Sequence, residues 1–216
     1  MADLFQRQHP ITKFLTGLTN LMMVNFLFII TSLPIFTIGA SLTAMHKVIF
    51  KTILNEDPSV IREYFSTFKK EFKQATILWI PVLLLILFFF YEIYIVNMVL
   101  DKSLFWMQFP IWAFLFCTVS VLFYGFPMLA NFENTNKEII KNSILLSLSH
   151  IPTTIMFIVI ALIVPLIVNA FPGTIGVFFL LLCFFGFAII GWYFDFYLRR
   201  IFKLEKKPDN IYDTDK

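Results

Sequence analysis

Five stretches of this chain run for about twenty residues with almost no charge. That is the length an α-helix needs to cross a hydrocarbon core roughly 30 Å thick, at about 1.5 Å per residue. They lie near 17–38, 77–99, 105–130, 151–171 and 174–198. The second and fifth are the cleanest, whereas the first is interrupted by Asn20, Asn25, Thr31, Ser32 and Pro34. With 59% hydrophobic and 14% charged residues among 216, the chain has too little polar surface to cover its apolar side chains in water. The expected fold class is an all-α integral membrane protein. It would be a bundle of about five transmembrane helices with cytoplasmic amphipathic helices, forming one membrane domain over residues 1–216. The first apolar region is longer than the 7–15 residues of a signal-peptide core and no small-residue cleavage pattern follows it, so it is expected to be retained.

Lysine and arginine collect in cytoplasmic loops, which orients the bundle. Lys47, Lys51, Arg62, Lys69, Lys70 and Lys73 lie between the first and second spans, and Lys137 and Lys141 between the third and fourth. Arg199, Arg200, Lys203, Lys206, Lys207 and Lys216 follow the fifth. The other side keeps only Arg7, Lys13 and Lys102. Five crossings with the N-terminus outside and the C-terminus cytoplasmic fit this asymmetry. A competing arrangement has Pro34 breaking the first span into a re-entrant hairpin, with four full crossings and a cytoplasmic N-terminus.

The loops are patterned. Over 58–75, Ile61, Tyr64, Phe65, Phe68, Phe72 and Ala75 recur at helical spacing, opposite Arg62, Glu63, Lys69, Lys70, Lys73 and Gln74. Asp57 is suited to cap that helix and Pro58 to its first turn. A weaker amphipathic helix is expected over 41–54, with Leu42, Met45, Ile49 and Ile53 beside His46, Lys47 and Lys51. A third is expected over 136–149, where Thr135 and Glu138 have capping-box spacing and Ile139, Ile140, Ile144 and Leu148 follow. Two readings are open for all three: interfacial helices that anchor the bundle, or a partner- or lipid-docking face made of Lys47, Lys51, Arg62, Lys69, Lys70, Lys73, Arg199 and Arg200. The Ile80-Pro81 and Ile151-Pro152 pairs, 71 residues apart, each lead from an amphipathic segment into a helical hairpin and suggest a parallel repeat.

Little in the chain points to chemistry. Cys117 and Cys183 sit singly in apolar runs, and His9, His46 and His150 show no ligand spacing, so neither a metal nor any other cofactor is expected. No P-loop, nucleophile elbow or catalytic acidic pair occurs, and the chain is not expected to be an enzyme. A nucleic-acid partner is not expected either. Glu92 stands inside the second span, where an ionisable group is costly. It should face the bundle interior, a water cavity or a partner, as a functional or a structural carboxyl. Asp195 lies one turn before Arg199 and is expected to pair with it. Asn25, Asn97, Asn131 and Asn169 are candidates for hydrogen bonds across helices.

Residues 33–51, LPIFTIGASLTAMHKVIFK, resemble the signature region of the YesL family of small bacterial membrane proteins, whose domain has no assigned function. The matching positions are Pro34, Gly39, Ala40, Ser41, Leu42 and Ala44. Residues 64–79, YFSTFKKEFKQATILW, and 131–148, NFENTNKEIIKNSILLSL, are similar to that family too. The resemblance implies a multi-pass protein of the bacterial cytoplasmic membrane, often encoded beside carbohydrate ABC importers and their regulators. On that basis the chain is expected to be a non-catalytic accessory subunit that docks on the permease subunits, and on the ATPase, of an oligosaccharide importer. The alternative is a small stand-alone transporter or channel that uses the Glu92 carboxylate.

Overall fold

The computed structural model describes residues 10–54, 59–99, 108–170, 173 and 175–203. Among these residues every regular element is helical. In chain order they are α1 (Pro10–Ser32), a 3₁₀ turn (Ile35–Thr37), α2 (Ile38–Ile53), α3 (Val60–Val99) and α4 (Gln108–Ser120). A π-helical turn (Val121–Gly125) joins α4 to α5 (Phe126–Asn131), then come α6 (Asn136–Ser149), α7 (Ile151–Ala170) and α8 (Ile175–Leu181). A second π-helical turn (Leu182–Gly186) joins α8 to α9 (Phe187–Ile201). Among the described residues four helical stretches are long and apolar enough to cross a membrane, or five if the bent pair α6–α7 counts as one span. The chain is thus a helical multi-pass membrane protein, and the exposed apolar side chains on these helices are the surface that lipid covers. Along α7 they form one stripe, Ile151, Ile155, Val159, Ile163 and Leu166.

Three expectations change. The first apolar stretch does not run to residue 38: α1 stops at Ser32, because Pro34 takes an extended conformation and opens the 3₁₀ turn. The segment expected as an amphipathic helix over 58–75 and the span expected over 77–99 are one helix of 40 residues with Pro81 inside it. At about 1.5 Å per residue α3 is about 60 Å long, twice the hydrocarbon thickness, so about half of it lies beyond the membrane core. Its Tyr64 and Ala75 are buried as expected, but Ile61 and Phe65 are exposed. Asp57 and Pro58 lie outside the described residues. The third change concerns α2, expected as the weakest surface helix and found instead to be the most enclosed. Gly39, Ala40, Ser41, Thr43, Ala44, Met45, His46, Val48, Ile49, Phe50 and Ile53 are buried, leaving little but Leu42, Lys47, Lys51 and Thr52 partly open.

Small residues explain how α2 fits among its neighbours α1, α3, α5 and α9. At Gly39 a Cβ would stand 2.6 Å from Trp79 Cβ and 2.8 Å from the Ala75 carbonyl oxygen, so only glycine lets α2 and α3 touch there. Trp79 Nε1 donates to the Ile35 carbonyl at 2.8 Å and ties the 3₁₀ turn to α3. Ala44, Met45, Val48 and Ile49 then pack with Val24 and Phe28 of α1 and with Val60 and Tyr64 of α3.

The parallel-repeat reading meets a geometric difference. Ile80-Pro81 lies within unbroken α3, whereas Ile151-Pro152 follows a bend of 98° between α6 and α7. The capping box at α6 is as expected: Thr135 N–H donates to Glu138 Oε2 at 2.8 Å, and Glu138 N–H donates to Thr135 Oγ1 at 3.4 Å. The buried side of α6 is Ile139, Ser143 and Ser147, while Ile140 and Leu148 face outward.

Candidate functional site

Where α2 meets α9, His46 Nδ1 lies 2.8 Å from Oδ1 and 2.9 Å from Oδ2 of Asp195. The sequence separation is 149 residues. The expected pairing of Asp195 with Arg199 is therefore wrong. In the helix Arg199 turns outward and its guanidinium lies 4.5 Å from the centre of the Phe196 ring, a cation–π contact. Asp195 turns inward, fully buried, and pairs with His46 of α2. An unpaired carboxylate at such a place would be severely destabilising, and the imidazole N–H supplies its hydrogen bond. The close approach of α2 is eased by Gly191, one turn earlier on α9, which has no side chain. A Cβ there would meet Met45 Cε and Ile49 Cδ1, each at 3.1 Å.

A second polar cluster joins α1, the 3₁₀ turn, α2 and α3. Thr31 Oγ1 donates to the Leu27 carbonyl and lies 2.7 Å from the Tyr64 hydroxyl. Ser41 Oγ donates to Thr31 Oγ1 at 2.9 Å, and Thr37 Oγ1 donates to the Thr31 carbonyl at 2.5 Å. This cluster holds the turn in which α1 ends, so Thr31 and Pro34, two of the residues that weakened the first span as a hydrophobic run, help to build its exit.

The third cluster explains Asn25. A π-helical turn shifts the hydrogen-bond ladder by one residue and leaves backbone groups without their usual partners. At the turn Leu182–Gly186, Asn25 Nδ2 donates to the carbonyls of Leu182 (3.1 Å) and Cys183 (2.7 Å), and its Oδ1 accepts from the Ala188 N–H at 3.1 Å. One amide from α1 thus satisfies three backbone groups of the last span. The other π turn sits among Ser120, Ser147, Tyr124 and Thr154: Ser120 Oγ donates to Ser147 Oγ at 2.8 Å, and the hydroxyls of Tyr124 and Thr154 are 2.8 Å apart. Asn131 bonds only within its own helix turn, to the Pro127 carbonyl. The side chains of Asn97 and Asn169, and His9, lie outside the described residues.

The remaining candidates are scattered. Glu92 is half-buried on α3 and makes no hydrogen bond or ion pair with another described residue. Cys117 and Cys183 are free thiols, and among the described residues no group of three potential metal ligands converges. His150 ends α6 as its C-cap. The expected basic face is divided. Lys51 pairs with Glu63 at 2.7 Å and Lys70 with Glu133 at 3.0 Å, whereas Arg62, Lys69, Lys73 and Arg200 are exposed. Lys47 is half-buried on α2. The Lys70 ammonium, by its hydrogen bond and its charge, holds the Glu133 carboxyl below the usual range.

The element at the centre of all this, α2, lies within a segment that a known family matches. Residues 21–93 match the family described as Protein of unknown function, DUF624. The DUF624 match takes in most of α1, all of α2 and most of α3. It holds His46, Asn25, Thr31, Ser41 and Tyr64, but not the partners that α9 and its π turn supply to His46 and Asn25. The signature positions Pro34, Gly39, Ala40, Ser41, Leu42 and Ala44 lie within it as well. The chain is also 26% identical over 164 residues to Uncharacterized protein YteU of Bacillus subtilis (strain 168), over 74% of this chain and 71% of that protein. No solved structure matches.

Proposed function

We propose that the chain is a non-catalytic accessory subunit of the bacterial cytoplasmic membrane, which docks on the permease subunits of a carbohydrate importer. Its C-terminus would lie in the cytoplasm and its N-terminus outside. The observation that carries this reading is the length of α3. A single rod about 60 Å long extends past the membrane and is braced by α2. Its outer half presents Arg62, Lys69 and Lys73 to the surroundings. A stiff basic projection of this kind suits contact with acidic loops of a partner on the cytoplasmic side. The YesL resemblance supplies the class of partner. Hydrogen-bonded pairing of His46, Asp195, Asn25, Thr31, Ser41 and Tyr64 also supports a structural role for these groups, although the buried side-chain oxygens of Ser32, Thr76 and Asn136 are without partners among the described residues.

The test is isolation of the tagged chain from native membranes in mild detergent, together with sugar uptake in a strain lacking it. Co-purification of a permease subunit and reduced uptake are the expected results. A chain that purifies alone, with uptake unchanged in the deletion strain, removes the proposal. The half-buried position of Glu92 favours a second reading, a small carrier in its own right. Proteoliposomes decide it: that reading requires solute flux that Glu92→Gln abolishes.

A further inference from the structure

The bend of 98° between α6 and α7 fixes how α6 lies. If α7 runs across the membrane, α6 runs along its surface. The rotation of α6 about its own axis is fixed as well. A Cβ at Gly125 would meet Ile139 and Ser143 at 3.3 and 3.2 Å, and Ser147 accepts the hydrogen bond from Ser120. The stripe Ile139, Ser143, Ser147 therefore faces the bundle.

Successive helical residues turn by about 100°, which settles where the others point. Ile140, Ile144 and Leu148 form the flank on one side of the buried stripe; Glu138, Asn142 and Ser149 form the flank on the other. On this wheel Lys137 falls between Ile144 and Leu148, Lys141 just beyond Leu148, and the exposed Leu145 between Lys141 and Glu138; both lysines are exposed and neither pairs with an acid among the described residues. The outward arc is thus apolar with two cations set into it, and Glu138, Asn142 and Ser149 lie to one side of it. Such an arc suits a lipid–water boundary: its apolar side chains enter the acyl region while the long lysine side chains reach back to the phosphates.

We infer that α6 is an interfacial helix whose apolar flank enters the acyl boundary and whose Lys137 and Lys141 engage anionic phospholipid headgroups. The lipid contact holds α6 at right angles to α7, so headgroup charge acts directly on the π turn that α6 packs against. The inference is independent of the importer reading, since it needs only the fold.

The purified chain, with Cys117 and Cys183 replaced by alanine, is spin-labelled at single cysteines introduced at positions 142, 144, 148 and 149 and placed in phosphatidylcholine–phosphatidylglycerol vesicles. Labels at 144 and 148 should collide with dissolved oxygen more than with an aqueous nickel complex, and labels at 142 and 149 the reverse. In native mass spectrometry, the pair of changes Lys137→Gln and Lys141→Gln should lower retained phosphatidylglycerol by about fivefold or more, with phosphatidylcholine unchanged. Surface substitutions of this type leave the fold intact, which an unchanged gel-filtration profile checks. Nickel access at 144 and 148 would overturn the inference, as would exclusion of both reagents there, which means a protein partner covers the flank. Equal phosphatidylglycerol retention by the two proteins would overturn it too.

Discussion

His46 on α2 and Asp195 on α9 form a buried pair, Nδ1 to Oδ1 2.8 Å, that joins the segment matched by the family to the last membrane span. Removing one partner leaves the other buried without compensation. His46→Ala is expected to lower stability by about 3–5 kcal/mol. Asp195→Asn keeps the shape and an acceptor oxygen, so its loss should be distinctly smaller. Thermal unfolding in detergent, followed by circular dichroism, ranks the two. Equal, negligible effects would mean that the pair is open to water.

The pairing shows where sequence reading stops. Arg199 is four positions from Asp195 and chemically suitable, so local spacing favours it. The choice of His46 is made by the packing of α2 against α9, which the small Gly191 eases. No one-dimensional pattern carries that information. A cue was present in His46 itself, an imidazole standing among Ala44, Met45, Val48 and Ile49, where burial requires a partner.

Asn25→Leu is expected to destabilise the fold by about 1–3 kcal/mol, because the carbonyls of Leu182 and Cys183 and the N–H of Ala188 lose their partner together. Asn131→Ala, which removes only a bond within one helix turn, should cost clearly less. Comparing the two variants by thermal unfolding checks the assignment of Asn25 to the π turn, and the reverse ranking would contradict it.

Gly39→Ala should be the most disruptive of the single-methyl additions. The new Cβ meets main chain at Ala75 and the Cβ of Trp79, neither of which can rotate away, and the penalty is expected at or above the usual 1–3 kcal/mol of overpacking. Gly191→Ala meets the flexible ends of Met45 and Ile49 and should be milder. If both glycines tolerate alanine equally, α2 is not held against α3 as described.

The spans themselves were legible, since an apolar run of about twenty residues has few alternatives in a chain this poor in charge. The role of α2 was not. Its Leu42, Met45, Ile49 and Ile53 stripe looks half-buried when taken alone. Burial of the remaining sides comes from α1, which folds back beside α2, and from α5 and α9, which lie far along the chain. In α3 the change from amphipathic to apolar pattern near residue 76 looked like a boundary between two helices. It marks the passage of one helix from water into lipid.

Glu133 offers a pH test outside the membrane. Its folded-state carboxyl sits below the ordinary value because of Lys70. The contribution is therefore complete above the unfolded-state carboxylate range and is lost as pH falls through the lower folded value. Being fully exposed, the pair should matter little at neutral pH. Glu133→Gln is expected to lower neutral-pH stability only slightly and to remove the same small part of the acid sensitivity of unfolding, measured between neutral and acidic buffers.

A photo-crosslinking residue placed at Arg62, Lys69 or Lys73 in living cells addresses the docking role most directly, with Leu180 as an exposed apolar control. The account expects adducts with a permease or ATPase subunit of a sugar importer from the α3 positions and none from position 180. Adducts with lipid alone, or no adduct at all, from every α3 position would contradict it.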